Sequence, residues 1–205
     1  MVRRIAAAAA LFMACGAGPA PSAWDAFARA CSGLSGYTAR VTAFERSGDR
    51  AQTLIIDYAF HKPENVTGRI LDGPNRGAIL VWDGGPTMRA HLGSGMLYGL
   101  AKTLPLHDPS ATSVRGSSID ELAFPYVLAH GDDTPGSVVQ QPGETIDGMP
   151  TDAIVLAPAN PNADGGLTRE VIELSAATHL PLRILGYEGA MLVRQVDYAD
   201  LQLTR

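Results

Sequence analysis

The side chains of this 205-residue chain that could do chemistry are five histidines, two cysteines and a scatter of carboxylates. Their spacing argues against each chemistry in turn. His61, His91, His107, His130 and His179 include no pair at i, i+2 or i, i+4 and no HExxH, the spacings that bring two imidazoles onto one metal. His61 and His179 stand near turn prolines, where a surface role suffices. Gly93-Ser94-Gly95 lacks the strand-turn-helix elbow that exposes a nucleophilic serine. Asp83, in Asp83-Gly84-Gly85, and the pair Asp132-Asp133 read as turn and loop carboxylates. Two carboxylates at a fixed separation can cleave a glycosidic bond, but a chain with 21 acidic side chains offers such pairs by chance. No glycine-rich phosphate loop opens a helix. The residue types predict no catalytic centre, no metal and no cofactor; an envelope hydrolase would have to rest on one isolated carboxylate or histidine.

Composition narrows the class further. Arg3 and Arg4 precede an apolar run over residues 5–14 with five consecutive alanines, and small residues continue to Ala23. That pattern predicts a secretory signal peptide over residues 1–23, too short for a stable transmembrane helix. An alternative is processing at Cys15, which would become the acylated first residue and anchor the chain to the outer membrane. Leu11 stands four residues before Cys15 rather than three, and Phe12 substitutes poorly. With the leader gone, 14 basic side chains face 21 acidic ones, a balance that disfavours nucleic acid. Cys31 is then alone, so an intrachain disulfide is excluded and a buried apolar role is expected. The expected compartment is the periplasm.

The remaining 24–205 read as one domain, a monomer rich in antiparallel strands. Trp24, Phe27, Ala28, Cys31 and Leu34 recur at helical steps, and Ser22 with Asp25 could form a capping box. Alternating segments then follow at 37–46, 51–60, 66–71, 78–82 and 87–91. Five strands in about 55 residues leave no room for crossover helices, so the sheet is antiparallel. Met96, Leu97, Leu100 and Leu104 predict a helix, residues 106–116 a loop, and Ser118-Ile119-Asp120-Glu121 a capped helix running toward His130, broken near Pro125. Residues 131–143 read as a polar connection. A strand at 152–157 leads to a terminal meander over 168–204, where Pro181 opens one strand and Glu188-Gly189 turns into the last.

Three blocks carry a family resemblance. The first is the amino-terminal helix followed by Tyr37-Thr38-Ala39-Arg40-Val41-Thr42. The second runs from Tyr58 through His61-Lys62-Pro63-Glu64-Asn65-Val66 to Leu71, with Gly77-Ala78-Ile79-Leu80-Val81-Trp82-Asp83-Gly84. The third is Ile172-Glu173-Leu174, Leu180-Pro181-Leu182-Arg183-Ile184 and Val196-Asp197-Tyr198-Ala199-Asp200-Leu201. Together they resemble the LolA/LolB-like superfamily of periplasmic lipoprotein-sorting proteins, with RseB-like sensor domains as relatives. The middle, residues 92–143, matches no pattern of that family.

The resemblance implies a mainly β fold: a highly curved antiparallel sheet, an unclosed β-barrel, covered on its concave side by short helices. It implies a non-catalytic protein carrying lipid or lipoprotein acyl chains in an apolar cavity, or alternatively an envelope sensor or scaffold bound to a protein partner. The cavity is expected to be lined by Ile56, Tyr58, Leu80, Trp82, Met96, Leu100, Leu182, Ile184, Met191 and Val193. Arg40 and Arg69 are the expected contacts to a lipid headgroup or partner.

Overall fold

Apolar and polar residues alternate through most of the chain, and strands form where they do. The computed structural model describes residues 22–91, 100–133 and 136–204. Residues 1–21 of the expected signal peptide, Cys15 among them, lie outside these, as do Met96 and Leu97. Helix α1 (Ala23–Ser32) is followed by β1 (Gly36–Ser47), β2 (Arg50–His61), β3 (Asn65–Asp72), β4 (Ile79–Asp83), β5 (Thr87–His91) and β6 (Ala101–Pro105). Helix α2 (Phe124–Asp133), β7 (Gly136–Ile146), β8 (Met149–Pro158), β9 (Arg169–Ser175), β10 (Pro181–Glu188) and β11 (Met191–Thr204) complete the order. The strands form one antiparallel sheet in the order β6-β5-β4-β3-β2-β1-β11-β10-β9-β8-β7. The last strand pairs with the first, with Val41 opposite Tyr198 and Ala43 opposite Val196. Two arms, β1–β6 and β11–β7, therefore extend from a central seam. Edge strands β6 and β7 do not pair with each other, so the barrel stays unclosed.

One apolar cluster collects inward residues from both arms, including Met88 and Leu104 on one side and Ile154 and Leu156 on the other. Residues so far apart in strand order can share a core only if the sheet curls around it. Both helices supply the cover. Ser22 Oγ accepts the Asp25 N–H at 3.0 Å and Asp25 Oδ2 accepts the Ser22 N–H at 3.3 Å, the capping box expected from the sequence. Phe27 and Cys31 then face the sheet, both buried. At the other end Lys62 Nζ donates to the Cys31 and Ser32 carbonyls at 3.2 and 2.8 Å, placing a cation at the negative end of the helix dipole. Trp24 Nε1 donates to Asp132 Oδ1 at 2.7 Å and ties α1 to α2.

Three expectations are corrected. The helix expected over 96–104 is, across its described part, the edge strand β6. Lys102 pairs opposite Ala90 and Leu104 opposite Met88, so the backbone of β5 is satisfied and the four-residue spacing of Leu100 and Leu104 has no helical meaning. The polar connection expected over 131–143 holds most of β7, an exposed edge strand paired to β8 with an irregularity between Pro142 and Thr145. Pro and Gly are tolerated there because one edge needs no partner. The break expected near Pro125 in the helix from Ser118 falls at Ala123. Residues Ile119–Leu122 form a 3-10 turn, Ala123 is extended, and α2 starts at Phe124 with Pro125 in its first turn, where a missing N–H costs nothing.

Aromatic residues lock α2 to the seam. Tyr37 stacks on Phe124 with centroids 4.1 Å apart, and Phe124 meets Tyr198 edge-on at 5.1 Å. The Tyr37 hydroxyl accepts the Phe124 N–H at 3.1 Å and donates to the Leu122 carbonyl at 3.3 Å; Tyr198 donates to the same carbonyl at 3.0 Å. The hydroxyl of Tyr58 is buried without a hydrogen-bond partner among the described residues. The Tyr37 hydroxyl is close enough to act on it, but its bonds go to Phe124 and Leu122. Urea unfolding should separate these cases. Phe124→Ala is expected to cost about 3–5 kcal/mol and Tyr37→Phe about 1–2 kcal/mol. Tyr58→Phe should cost nothing or stabilise, since the lost hydroxyl has no hydrogen-bond partner among the described residues. Equal losses for the two tyrosines would contradict the hydrogen bonding described.

Candidate functional site

The core does not fill the curled sheet evenly. Toward the Phe60 end of β2 the interior is packed by Tyr37, Tyr58, Phe60 and Phe124, all buried. Toward the other end a cavity of about 570 Å³ remains. Leu54 and Ile56 of β2, Ile70 of β3, Leu80 of β4 and Leu104 of β6 form its floor, with Ala78 and Ala90 leaving space where larger side chains would fill it. Ile119 and Leu122 close it from above. Gly68 permits that roof to sit low: a Cβ there would stand 2.8 Å from Ile119 Cδ1.

Residues 106–117 run across the cavity as a strap. Leu106 is buried and its N–H donates to the Pro86 carbonyl at 2.9 Å. Asn75 Nδ2 reaches the Ser110 carbonyl at 3.4 Å. Arg115 is the main anchor. Its guanidinium donates to the carbonyls of Arg46 and Gly165 at 2.8 and 2.6 Å and pairs with Glu188 at 2.8 Å. Since Arg46 lies in one arm of the sheet and Glu188 in the other, a single side chain joins both arms to the strap.

At the seam the cavity ends in charge. Glu45, 5% exposed, borders it and accepts a hydrogen bond from the Ser113 hydroxyl. Across the β1–β11 pairing Glu45 stands opposite Arg194, which stands opposite Gly186 of β10, itself opposite Glu170 of β9. With no side chain at Gly186, Arg194 spans the row and lies 4.0 Å from both Glu170 and Glu121. Burial opposes the charge on Arg194, but the surrounding Glu170, Glu121 and Glu45 outweigh it and hold the guanidinium pKa above its usual value. Burial pushes the Glu170 carboxyl up, against the pull of Arg194 and His130. On α2, His130 Nε2 lies 3.2 Å from Asp164 Oδ1, and that hydrogen bond raises the imidazole pKa. Among the described residues no three His, Cys, Asp or Glu side chains group as metal ligands.

Of the residues expected at the cavity, the structure brings together Ile56 and Leu80. Tyr58 belongs instead to the aromatic packing, and Trp82 packs on the core with its Nε1–H donated to the Gly85 carbonyl at 2.7 Å. Leu182, Ile184 and Val193 are buried but lie off the cavity, in the β10–β11 arm. Leu100 and Met191 are corrected: at 57% and 43% exposure they face solvent, one just before an edge strand and the other after the hairpin turn that opens β11. Met96 is outside the described residues. Arg40 and Arg69 also lie away from the cavity. They flank Asp57 on the outer face, with Arg40 Nη2 at 3.6 Å from Asp57 Oδ1. Leu54 was legible in the alternation of β2 and Ile70 in that of β3. The strap and Glu45 carried no signal, because nothing local marks a loop that folds back over a sheet.

No known protein family matches the chain, and no curated protein sequence matches it. Among solved structures, an uncharacterized conserved protein from Thermus thermophilus has the same fold at 10% identity and a TM-score of 0.55, covering 89% of this chain and 86% of that one. A LolA superfamily protein from Nitrosomonas europaea aligns at 12% identity and a TM-score of 0.42, over 91% and 95% of the two chains. The Mycobacterium tuberculosis lipoprotein LppX aligns at 12% identity and 0.46, over 87% and 92%. At 10% identity the likeness to the Thermus thermophilus protein is one of fold alone.

The His130–Asp164 pair makes a pH-dependent contribution whose sign is fixed. Because the folded-state pKa of His130 is raised, the pair stabilises fully below the unfolded value, about 6.5, and that stability is lost as pH rises through the folded value. The stability difference between the wild type and Asp164→Asn should therefore be largest below about pH 6.5 and shrink at higher pH. Urea midpoints measured from about pH 5.5 to about pH 9, a range that brackets the imidazole titration, check this; a gap that widens with pH would contradict it.

Proposed function

We propose that the protein is a non-catalytic binding protein of the cell envelope that holds an acyl chain of a lipid or lipoprotein in the cavity between β1–β6 and the strap. The observation that carries the reading is the hollow itself: about 570 Å³ with a floor of Leu54, Ile56, Ile70, Leu80 and Leu104. If a methylene takes about 30 Å³, the share of a water molecule in the liquid, the space holds roughly twenty, which is one acyl chain. Ten buried methylenes contribute about 8 kcal/mol before the entropy of binding is subtracted. The sequence blocks that resemble the LolA/LolB-like superfamily and the shared fold support the same reading. A place in the periplasm and an acylated cargo belong to this proposal.

Delipidated protein is expected to take up a fluorescent fatty-acid probe at about one per chain. Ala78→Trp and Ala90→Trp place a large ring in the cavity from its wall and should abolish uptake while circular dichroism and the melting temperature stay near wild type. Leu80→Glu should abolish it by putting a charge on the floor. Unchanged uptake by both tryptophan variants would contradict the reading. No uptake by the wild type, together with a co-purifying protein, would make the chain a scaffold for a partner.

A further inference from the structure

The two ends of the cavity differ in charge and in exposure. Its inner end, at the seam, carries Glu45, buried and bonded to Ser113. Its outer end carries Arg76, His91 and Lys102. The sheet register places Lys102 on the inner face, opposite Ala90, which pairs with Leu80 just past the turn that holds Arg76; His91, opposite Ile79 and Ala101, borders the same end from the alternate face. Arg76 and Lys102 are exposed, so this is the end that meets water. Among the described residues none of the three forms an ion pair. Asp108 is near enough to Lys102 to feel its charge, but its carboxylate accepts the Ser110 N–H at 2.9 Å and the Ser110 hydroxyl.

Cations at the wet end of an apolar cavity, with an acid at the dry end, select both a ligand and its direction. Resting on the acyl-binding reading above, we propose that the outer end is a headgroup site, and that the ligand is a single-chain amphiphile with an anionic phosphate or carboxylate head. The head lies between Arg76 and Lys102, where it keeps part of its hydration. The tail runs across Leu104, Leu80 and Ile56 toward Ala43 and Val196. From β6 to β1 there are five strand spacings of about 4.8 Å, on the order of 24 Å measured along the sheet, a length suited to one extended chain. The reverse orientation would bury an anionic head beside Glu45, where the nearest cation among the described residues, Arg194, is already shared by Glu45, Glu121 and Glu170. Lys102 has a further consequence. It sits on the inner face of an edge strand, where a neutral side chain would pack better against the apolar floor; there its long stem can cover apolar surface while the ammonium stays at the mouth.

The test compares four amphiphiles with the same acyl chain on the delipidated protein: a lysophosphatidic acid, the free fatty acid, a monoacylglycerol and a lysophosphatidylcholine. Calorimetry at low salt should show the two anionic ligands binding about tenfold tighter than the other two, with the preference fading as salt is raised. A stronger effect for the phosphate or for the carboxylate identifies which head the site suits. Arg76→Gln combined with Lys102→Gln should bring the affinity of the two anionic ligands down to that of the monoacylglycerol measured on the same variant; both positions are exposed, so folding is not at stake. Equal affinity for all four, or a preference that survives the double substitution, overturns the headgroup site while leaving the acyl-binding reading intact. Failure of all four to bind overturns both.

Discussion

The sheet offers more inward-facing area than the rest of the chain can cover, and most of the structure follows from that imbalance. Eleven strands at about 4.8 Å spacing would extend on the order of 50 Å if laid flat. Each helix has ten residues, about 15 Å in length. A flat sheet would leave most of its apolar face in water, so it curls. Even curled, the two helices and their aromatic partners fill only one end. The Tyr37–Phe124 stack fixes where that filling stops, because it pins the start of α2 to the seam. Beyond it only the strap and the 3-10 turn at Ile119–Leu122 are left to roof the interior. A loop can lie over a cavity without filling it, and this one is held at its ends and by Arg115 rather than by an apolar face of its own.

The charged row at the seam belongs to the same geometry. Burying an arginine with several glutamates is costly, and such groups rarely add stability over apolar packing. Here the row ends the cavity. Glu45 faces the hollow on one side and Arg194 on the other, so in the second arm the apolar lining reaches Val196 of β11 and stops there. The β7–β11 arm is filled by Ile154, Ile172, Leu174 and Ile184. One arm is thus a packed support and the other a container, with an ionic wall between them.

Strand alternation made β1–β5 and β8–β11 legible in the sequence, because one buried face imposes a two-residue period. Ser22 with Asp25 announced the start of α1. The edge strands escaped because an edge strand is held by pairing and not by a buried face. On β6 only Leu104 is buried, and on β7 only Ile146. The site was half legible for a related reason. Ile56 and Leu80 followed from alternation, but alternation says only that a residue points inward. Tyr58, two positions along the same face as Ile56, points inward too and ends in solid packing. Whether the space in front of an inward residue is filled depends on the strap, whose path is set by the Arg115 contacts at Arg46, Gly165 and Glu188. Arg46 and Gly165 stand 69 and 50 positions from Arg115 in sequence, several elements away, and no local pattern encodes such partners.

Photocrosslinking with an acyl chain bearing a diazirine near its middle tests the central claim most directly. Labelled peptides mapped by mass spectrometry should carry the adduct around Leu54, Ile56, Leu80 and Leu104, on the floor of the cavity. Adducts confined to the exposed Val138 and Val139 of β7, or spread over the outer face of the sheet, would show that the hollow beneath the strap is not where an acyl chain binds.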